Sequence, residues 1–425
     1  MAASQASSSR YGNLIKRKGE ITRSAILDAA HEVFRETGYY GSSISEITRR
    51  CNVSLATFYN YFKNKEQVFL ELNDLLLSRF MANADALTGE GDFRERLTRL
   101  VRLIYNHTRD NFAFHRILGE SELIDRVTIS YYETIARLLR DFLRKETPRA
   151  GLRPVNPSIF AYGLIGVCYF HSLKWGDPVE APKEETIRTI VDLLLHGISG
   201  PSPWKKPPQW NILSLPEPLP MQPVADEPLT KGEKTRKMIL LAAEKVFSLS
   251  GANRANISDI TREAGIAQGT FYVHFESKRD LFEGLVKYIN HLFRRELQRA
   301  VLHAKDRRDA ERLGILACNE FVYKHRGIYR LVPECEMIDE EVALWYYRKT
   351  SQGYIQGLAQ GMRRGEIREY PPTFLARSLM GYIHFIELKW IVWSSTGAPM
   401  APALLKDTIE LMLYGLHQEK KRKGG

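Results

Sequence analysis

The sequence predicts an all-α protein made of one helical unit written twice, on three observations. Apolar residues recur at helical spacing along most of the chain, without strand-like alternation. Residues 18–69 and 231–282 align without a gap at an offset of 213, with 23 identities in 52 positions, which marks an internal duplication. Between the copies, residues 200–230 hold nine of the chain's 19 prolines, a density that blocks helix and sheet alike.

The elements follow in order. Residues 1–19 are polar and turn basic, so a disordered N-terminal arm is expected, of the kind that reaches into a DNA minor groove. From Glu20 the helical period starts: Ile26, Ala30, Val33 and Phe34 form one stripe, and Gly38 supplies the stop. Ser43 can cap a second helix that carries Ile44 and Ile47 inward. Asn52 sits where a tight turn is needed and tolerates a left-handed conformation. Next comes VSLATFYNYFKNK, Val53 to Lys65, read as a short helix capped by Ser54 with Phe58 and Phe62 on its inner face. Thr57, Asn60 and Tyr61, with Tyr59 at the edge, face out. A longer helix from Lys65 runs through Val68, Phe69, Leu72 and Leu76. Helix, helix, tight turn, helix is the helix-turn-helix plan, here over residues 20–66. Residues 231–279 repeat it, with IAQGTFYVHFESK at Ile266 to Lys278.

Each module is followed by a longer helical stretch, residues 67–199 and 280–418. Breaks are expected at 89–91, 147–157 and 176–182. The helices predicted over 158–175 and 183–198 are apolar on more than one face, which implies burial on two sides. The duplication continues faintly here: Arg116 to Glu122 answers Arg330 to Glu336 at an offset of 214, and Leu173-Lys174-Trp175 answers Leu388-Lys389-Trp390 at 215. Arg116–Glu120 and Arg330–Glu334 are four apart and suit intrahelical ion pairs. The proline-rich linker, at ~3.1 Å per residue, reaches on the order of 90 Å. Residues 419–425 read as a basic tail.

Bulk properties narrow the function. A net charge of +11 and a pI near 9.3 favour an anionic partner. Four scattered cysteines, Cys51, Cys168, Cys318 and Cys335, show no paired spacing and read as small buried hydrophobes in a reducing cytosol. Neither a secretory h-region nor a membrane span is visible, and a soluble protein is expected. No P-loop, GxSxG, HExxH or dinucleotide turn occurs, and the histidines lack metal-ligand spacing. No enzyme, metal or cofactor is expected.

Laid side by side, the motif residues resemble the tetracycline-repressor (TetR) family of bacterial regulators. The first copy matches its pattern at Gly38, Ser42, Ser43, Val53, Ser54, Thr57, Phe58, Tyr59, Phe62 and Lys65. The second matches at Gly251, Asn256, Gly265, Ile266, Gly269, Thr270, Phe271, Tyr272, His274, Phe275 and Lys278. Copy one departs at Asn52, Ala56 and Leu55; copy two departs at Ala255 and at Ala267, which replaces a helix cap. The resemblance implies two units, each a three-helix DNA-binding domain plus a helical ligand-binding and dimerisation domain, packed as an intramolecular pseudo-dimer. It implies a cytoplasmic regulator, expected to be a repressor, that binds double-stranded DNA and is released by a small-molecule effector. Further self-association on DNA is left open, as is a DNA-bound adaptor or nucleoid-associated protein controlled by a protein partner.

Helix N-termini at Ser43, Ser54 and Asn256 offer N–H groups to phosphate, and Lys65 and Lys278 are expected on the same backbone. Residues 10–65 hold ten Lys/Arg against five Asp/Glu, and residues 231–280 nine against six. Thr57, Asn60, Gln268 and Thr270 are placed to read base edges, and Tyr59 and Tyr272 to meet phosphate. Ser42, Ala56, Tyr61, Gly269, Val273 and His274 complete the expected DNA face. Unlike readers predict an imperfect inverted repeat as the operator. For the effector, aromatic and histidine residues of the helical domains are the candidates: Tyr105, Phe112, Phe114, His115, Tyr162, Tyr169, His171, Phe321, Tyr323, Tyr382 and His384. Their apolar character favours a hydrophobic or acyl-type ligand.

Overall fold

The computed structural model describes residues 2–84, 90–118, 123–175, 182–207, 230–252, 254–329 and 331–417. Helix caps set the first module. α1 (Ala2–Gly41) is interrupted only at Gly38, whose φ of 73° leaves helical geometry. The basic N-terminal stretch is therefore helical from residue 2 and continues α1 instead of preceding it as a disordered arm. Once the Ile26–Phe34 stripe is docked, extending the helix backward needs no new nucleus.

α2 (Ile44–Arg50) opens at Ser43, which accepts a hydrogen bond from Glu46 N at 3.2 Å. α3 (Leu55–Tyr61) opens at Ser54, which accepts from Thr57 N at 3.0 Å. Between them Asn52 takes φ 54°, the left-handed turn the sequence predicts. Phe58 and Phe62 are buried beneath α3, and α4 (Lys65–Ala84) leads away.

The second module repeats this with α10 (Lys231–Ser250), α11 (Ile257–Ala264), α12 (Gln268–His274) and α13 (Lys278–Val301). Gly265, at φ 65°, stands where Asn52 does in the first. Asn256 occupies the N-cap position of α11 but makes no side-chain cap bond, contrary to expectation; Asp259 N bonds to its carbonyl oxygen instead. Ala267 leaves α12 uncapped.

The helical domain of the first unit comprises α5 (Phe93–Asp110), α6 (Phe112–Ile117), α7 (Leu123–Ala150), α8 (Pro157–Ser172) and α9 (Lys183–His196). α7 runs past the break expected at 147, because Pro148 falls in its last turn. The second unit answers with α14 (Arg307–Lys324), α15 (Arg326–Tyr329), α16 (Leu331–Ile338), α17 (Glu340–Arg363), α18 (Pro372–Glu387), a π turn over Leu388–Val392, and α19 (Pro402–Tyr414). No strand forms among the described residues, only a lone bridge between Ser199 and Ile367.

The two units meet through α8 and α18, and α8 is buried on every face from Ile159 to Phe170. The contact is reciprocal. A methyl on Gly166 would land on the Gly381 carbonyl, and one on Gly381 would land on the Gly166 carbonyl. The ends of α9 and α19 interlock likewise: Ser199 N donates to Leu413 O at 2.8 Å, and His417 N to Leu195 O at 2.9 Å. Arg153 N donates to Leu416 O and Arg368 N to Ile198 O, the same bond made once by each unit. The linker begins on the second unit, with Ser202 N on Gly365 O and the Arg308 guanidinium 4.7 Å from the Trp204 ring centre. Most of the predicted proline strap, residues 208–229, and the basic tail lie outside the described residues.

Candidate DNA-reading helices and a buried cavity

Each candidate reading helix, α3 and α12, is held by a phenylalanine pair and an inward lysine. Under α12, Phe271 and Phe275 are buried as Phe58 and Phe62 are under α3. Lys65 Nζ donates to Tyr39 O at 2.5 Å and Ser42 O at 2.8 Å, and lies 4.4 Å from the Tyr39 ring centre. Lys278 Nζ donates to Ala255 O at 3.0 Å, and burial lowers its pKa. The lysines expected on phosphate thus point at the loop before the second helix and fix its carbonyls. Ser42 is also turned inward, its Oγ bonded to Tyr39 O at 2.6 Å.

The outward face holds most of the expected readers. Ser43, Ser54, Ala56, Tyr59 and Asn60 are exposed on the first module, and Asn256, Gln268, Gly269, Tyr272 and Val273 on the second. Thr57 and Thr270 are half-buried at the same register, with Thr57 Oγ1 2.9 Å from Ser54 Oγ. Gly269 has open space where a Cβ would stand, which lets another molecule approach the backbone. Tyr61 and His274, both half-buried, instead lean toward Gly19 within α1 and Gly232 at the start of α10. Two exposed apolar residues, Leu55 and Val273, give the faces unlike surfaces.

The second unit holds a part-open cavity of about 260 Å³ between α13, α14, α17 and α18. Its walls are mostly apolar, including Phe293, Leu297, Ile315, Leu379 and Tyr382, and Phe170 of α8 reaches in from the first unit. Polar groups interrupt them, Arg294, Gln298, Tyr346 and Thr350 among these. Arg307 pairs with Glu311 at 2.5 Å, and Tyr354 donates to Glu311 at 2.6 Å. His384 Nδ1 is 2.8 Å from Tyr329 Oη, and burial pushes its pKa down to about 3, so the ring is neutral.

Residues 26–72 and 239–285 each match the family described as bacterial regulatory proteins, tetR family. The chain belongs to the TetR family. It carries that family's module twice, at the 213-residue spacing of its duplication. The HTH-type transcriptional regulator YvkB of Bacillus subtilis is 28% identical over 191 residues, which is 42% of this chain and 98% of the relative. That relative is thus matched almost whole by under half of this chain. The transcriptional repressor BepR of Brucella suis is 44% identical over 59 residues, 13% of this chain and 28% of its own. Among solved structures, the fatty acid degradation regulator FadR of Bacillus halodurans aligns at 20% identity, covering 44% of this chain and 97% of that one, with a TM-score of 0.39. As a TetR-family protein the chain is a DNA-binding transcriptional regulator.

The effector candidates fare unevenly in this TetR-family frame. Tyr382 and His384 line the cavity. Tyr105, Phe114 and Phe321 are buried core, and Phe112 packs on Tyr169. His115 is bonded to Tyr132 Oη at 3.0 Å, and Tyr162 donates to Glu133 at 2.8 Å. His171 meets Ser378 across the α8–α18 contact at 2.9 Å, and Tyr323 lies largely at the surface. Aromatic type alone does not separate a cavity wall from a packed core. Arg116 turns to the other unit, to Glu340 at 3.1 Å and the Glu336 carbonyl; Glu120, Arg330 and the Glu334 side chain lie outside the described residues. Arg294, Gly314, Tyr346 and Gly353 also line the cavity, with no motif to mark them in the sequence.

Proposed function

We propose that this chain is a single-polypeptide repressor that reads an imperfect inverted-repeat operator and leaves it when an effector fills the second unit's cavity. What carries this reading is the reciprocal α8–α18 contact, which joins two modules whose exposed reading faces differ. A symmetric dimer reads a palindrome because its halves are equal. Here Leu55, Ala56 and Asn60 face one half-site, and Gln268, Gly269 and Val273 the other. Thr57 and Thr270 sit between, Tyr59 and Tyr272 meet phosphate, and Lys65 and Lys278 hold the turn.

Release follows from shared elements. α13 begins at Lys278, beside the reading helix, and ends along the cavity wall at Val301. α17, the opposite wall, starts at Asp339, which caps it and pairs with Arg279 at 2.6 Å. A ligand that wedges α13 from α17 would move Lys278 and the Ala255 carbonyl it holds. Such a ligand acts only through its preference for the moved state.

The test is fluorescence anisotropy on operator DNA selected from a random pool, with each half-site then scrambled separately. Gln268→Ala should weaken the native operator yet lose its effect once the half-site it reads is scrambled, and Asn60→Ala should do the same at the other half. A symmetrised site that binds both variants and the native chain equally would overturn the reading. Affinity should fall linearly on a log–log salt plot.

A further inference from the structure

The duplication allows each cavity residue to be compared with its twin. Asp92 and Asp306 both cap the first helix of their domain, which fixes the offset there at 214. Pro157 and Pro372 both open the contact helices, which fixes it at 215 further on. On this alignment Gly314 answers Leu100, Gly353 answers Leu138, Arg294 answers Met81, and Tyr346 answers Tyr131.

Four differences point the same way. Gly314, half-buried, and Gly353, exposed at the cavity's rim, have nothing within 4 Å of an added Cβ, so no packing constraint demands glycine there. Leu100 is fully buried and Leu138 partly so, which places two leucine side chains where the second unit has space. Tyr131 Oη is bonded to His107 at 2.6 Å and lies 3.4 Å from His115. Tyr346, also buried, lines the cavity with a hydroxyl that finds no hydrogen-bond partner among the described residues, Phe321 and Tyr329 standing in place of those histidines. Finally, Arg294 is half-buried at the cavity and pairs with no acid among the described residues, while Arg307 is matched by Glu311.

An unmatched guanidinium and an unmatched phenol, set beside an apolar chamber, describe their ligand. A guanidinium fork fits a carboxylate, and a lone positive charge fits one negative charge. We propose that the second unit alone takes the effector, and that the effector is an amphipathic monocarboxylate. Its apolar body occupies the space left by Gly314 and Gly353, and its polar end is received by Arg294 and Tyr346. The first unit, plugged by Leu100 and Leu138, is a structural partner. This rests on the cavity being the effector site.

The test is calorimetric titration of the full chain with decanoate and with decanol. One decanoate should bind per chain, at least tenfold tighter than decanol. Arg294→Met should remove that preference and leave decanol binding within about twofold. Gly314→Leu and Gly353→Leu should each weaken both ligands more than tenfold, while melting and operator affinity stay near those of the native chain. Two decanoates per chain, no preference over decanol, or unchanged binding in both leucine variants would overturn the proposal. Operator affinity without ligand reports separately on the regulator reading, so failure of one is not failure of the other.

Discussion

At the scale of single residues, position in a motif does not reveal what a side chain bonds to. Lys65 and Lys278 stand where phosphate contacts are expected, yet their ammonium groups reach carbonyls 23 to 26 residues earlier in the chain. No local pattern encodes that partner, because the loop closes only when the module folds. The buried acid Glu387 makes the same point: in sequence it is one charge in an apolar run. In the fold it is fully buried, it accepts from Asn319 Nδ2 at 3.1 Å, and burial raises its pKa to about 8. It is protonated at pH 7. Between its unfolded value near 4.5 and about 8, the folded chain holds a proton that the unfolded chain has released. Stability therefore falls as pH rises through that window. Glu387→Gln should remove this part of the slope, gaining ~1 kcal/mol or more at pH 8 relative to pH 5, since one pKa unit is ~1.4 kcal/mol. Thermal melts of both proteins across pH 5–8.5 check it; parallel curves would contradict it.

At the scale of elements, the helices were legible because caps and periodicity are local. Ser43, Ser54 and Asn52 do what their types predict. Asn256 shows where this stops, since the right residue at the right place makes no cap bond. α12 lacks a side-chain cap, and Ala267→Ser should stabilise its module by ~1 kcal/mol, read as slower amide exchange in α12. The two-faced apolar character of residues 158–175 announced a contact but not its partner. Gly166 and Gly381 close that contact backbone to backbone, so Gly166→Ala should lower stability by ~1–3 kcal/mol or more, the range for overfilled cores. Denaturant melts measure it. The glycines of the cavity were visible as interior helix glycines, each unfavourable by ~1 kcal/mol against alanine. Their leucine twins, Leu100 and Leu138, lie far along the chain, so no local pattern marks them.

At the scale of the whole molecule, two family modules in one chain change the concentration dependence of folding. Obligate dimers melt at temperatures that rise with protein concentration. Here the partner is attached, so the melting temperature should stay constant over a hundredfold dilution; a steady fall would mean that the halves pair between chains. The fold, the duplication and the places of α3 and α12 were legible at this scale, whereas the second unit's cavity was not, since it arises from volume and not from motif. The α8–α18 contact carries a last consequence. In a symmetric dimer every residue near the axis faces its own copy, so any change must suit both sides at once. Joined in one gene, each half is spared its twin: Gly163 lies under the Tyr382 ring, while Ser378, in the matching place, holds His171. Such unequal pairs can accumulate only where subunit exchange has been abolished, and they in turn forbid a return to separate, identical subunits.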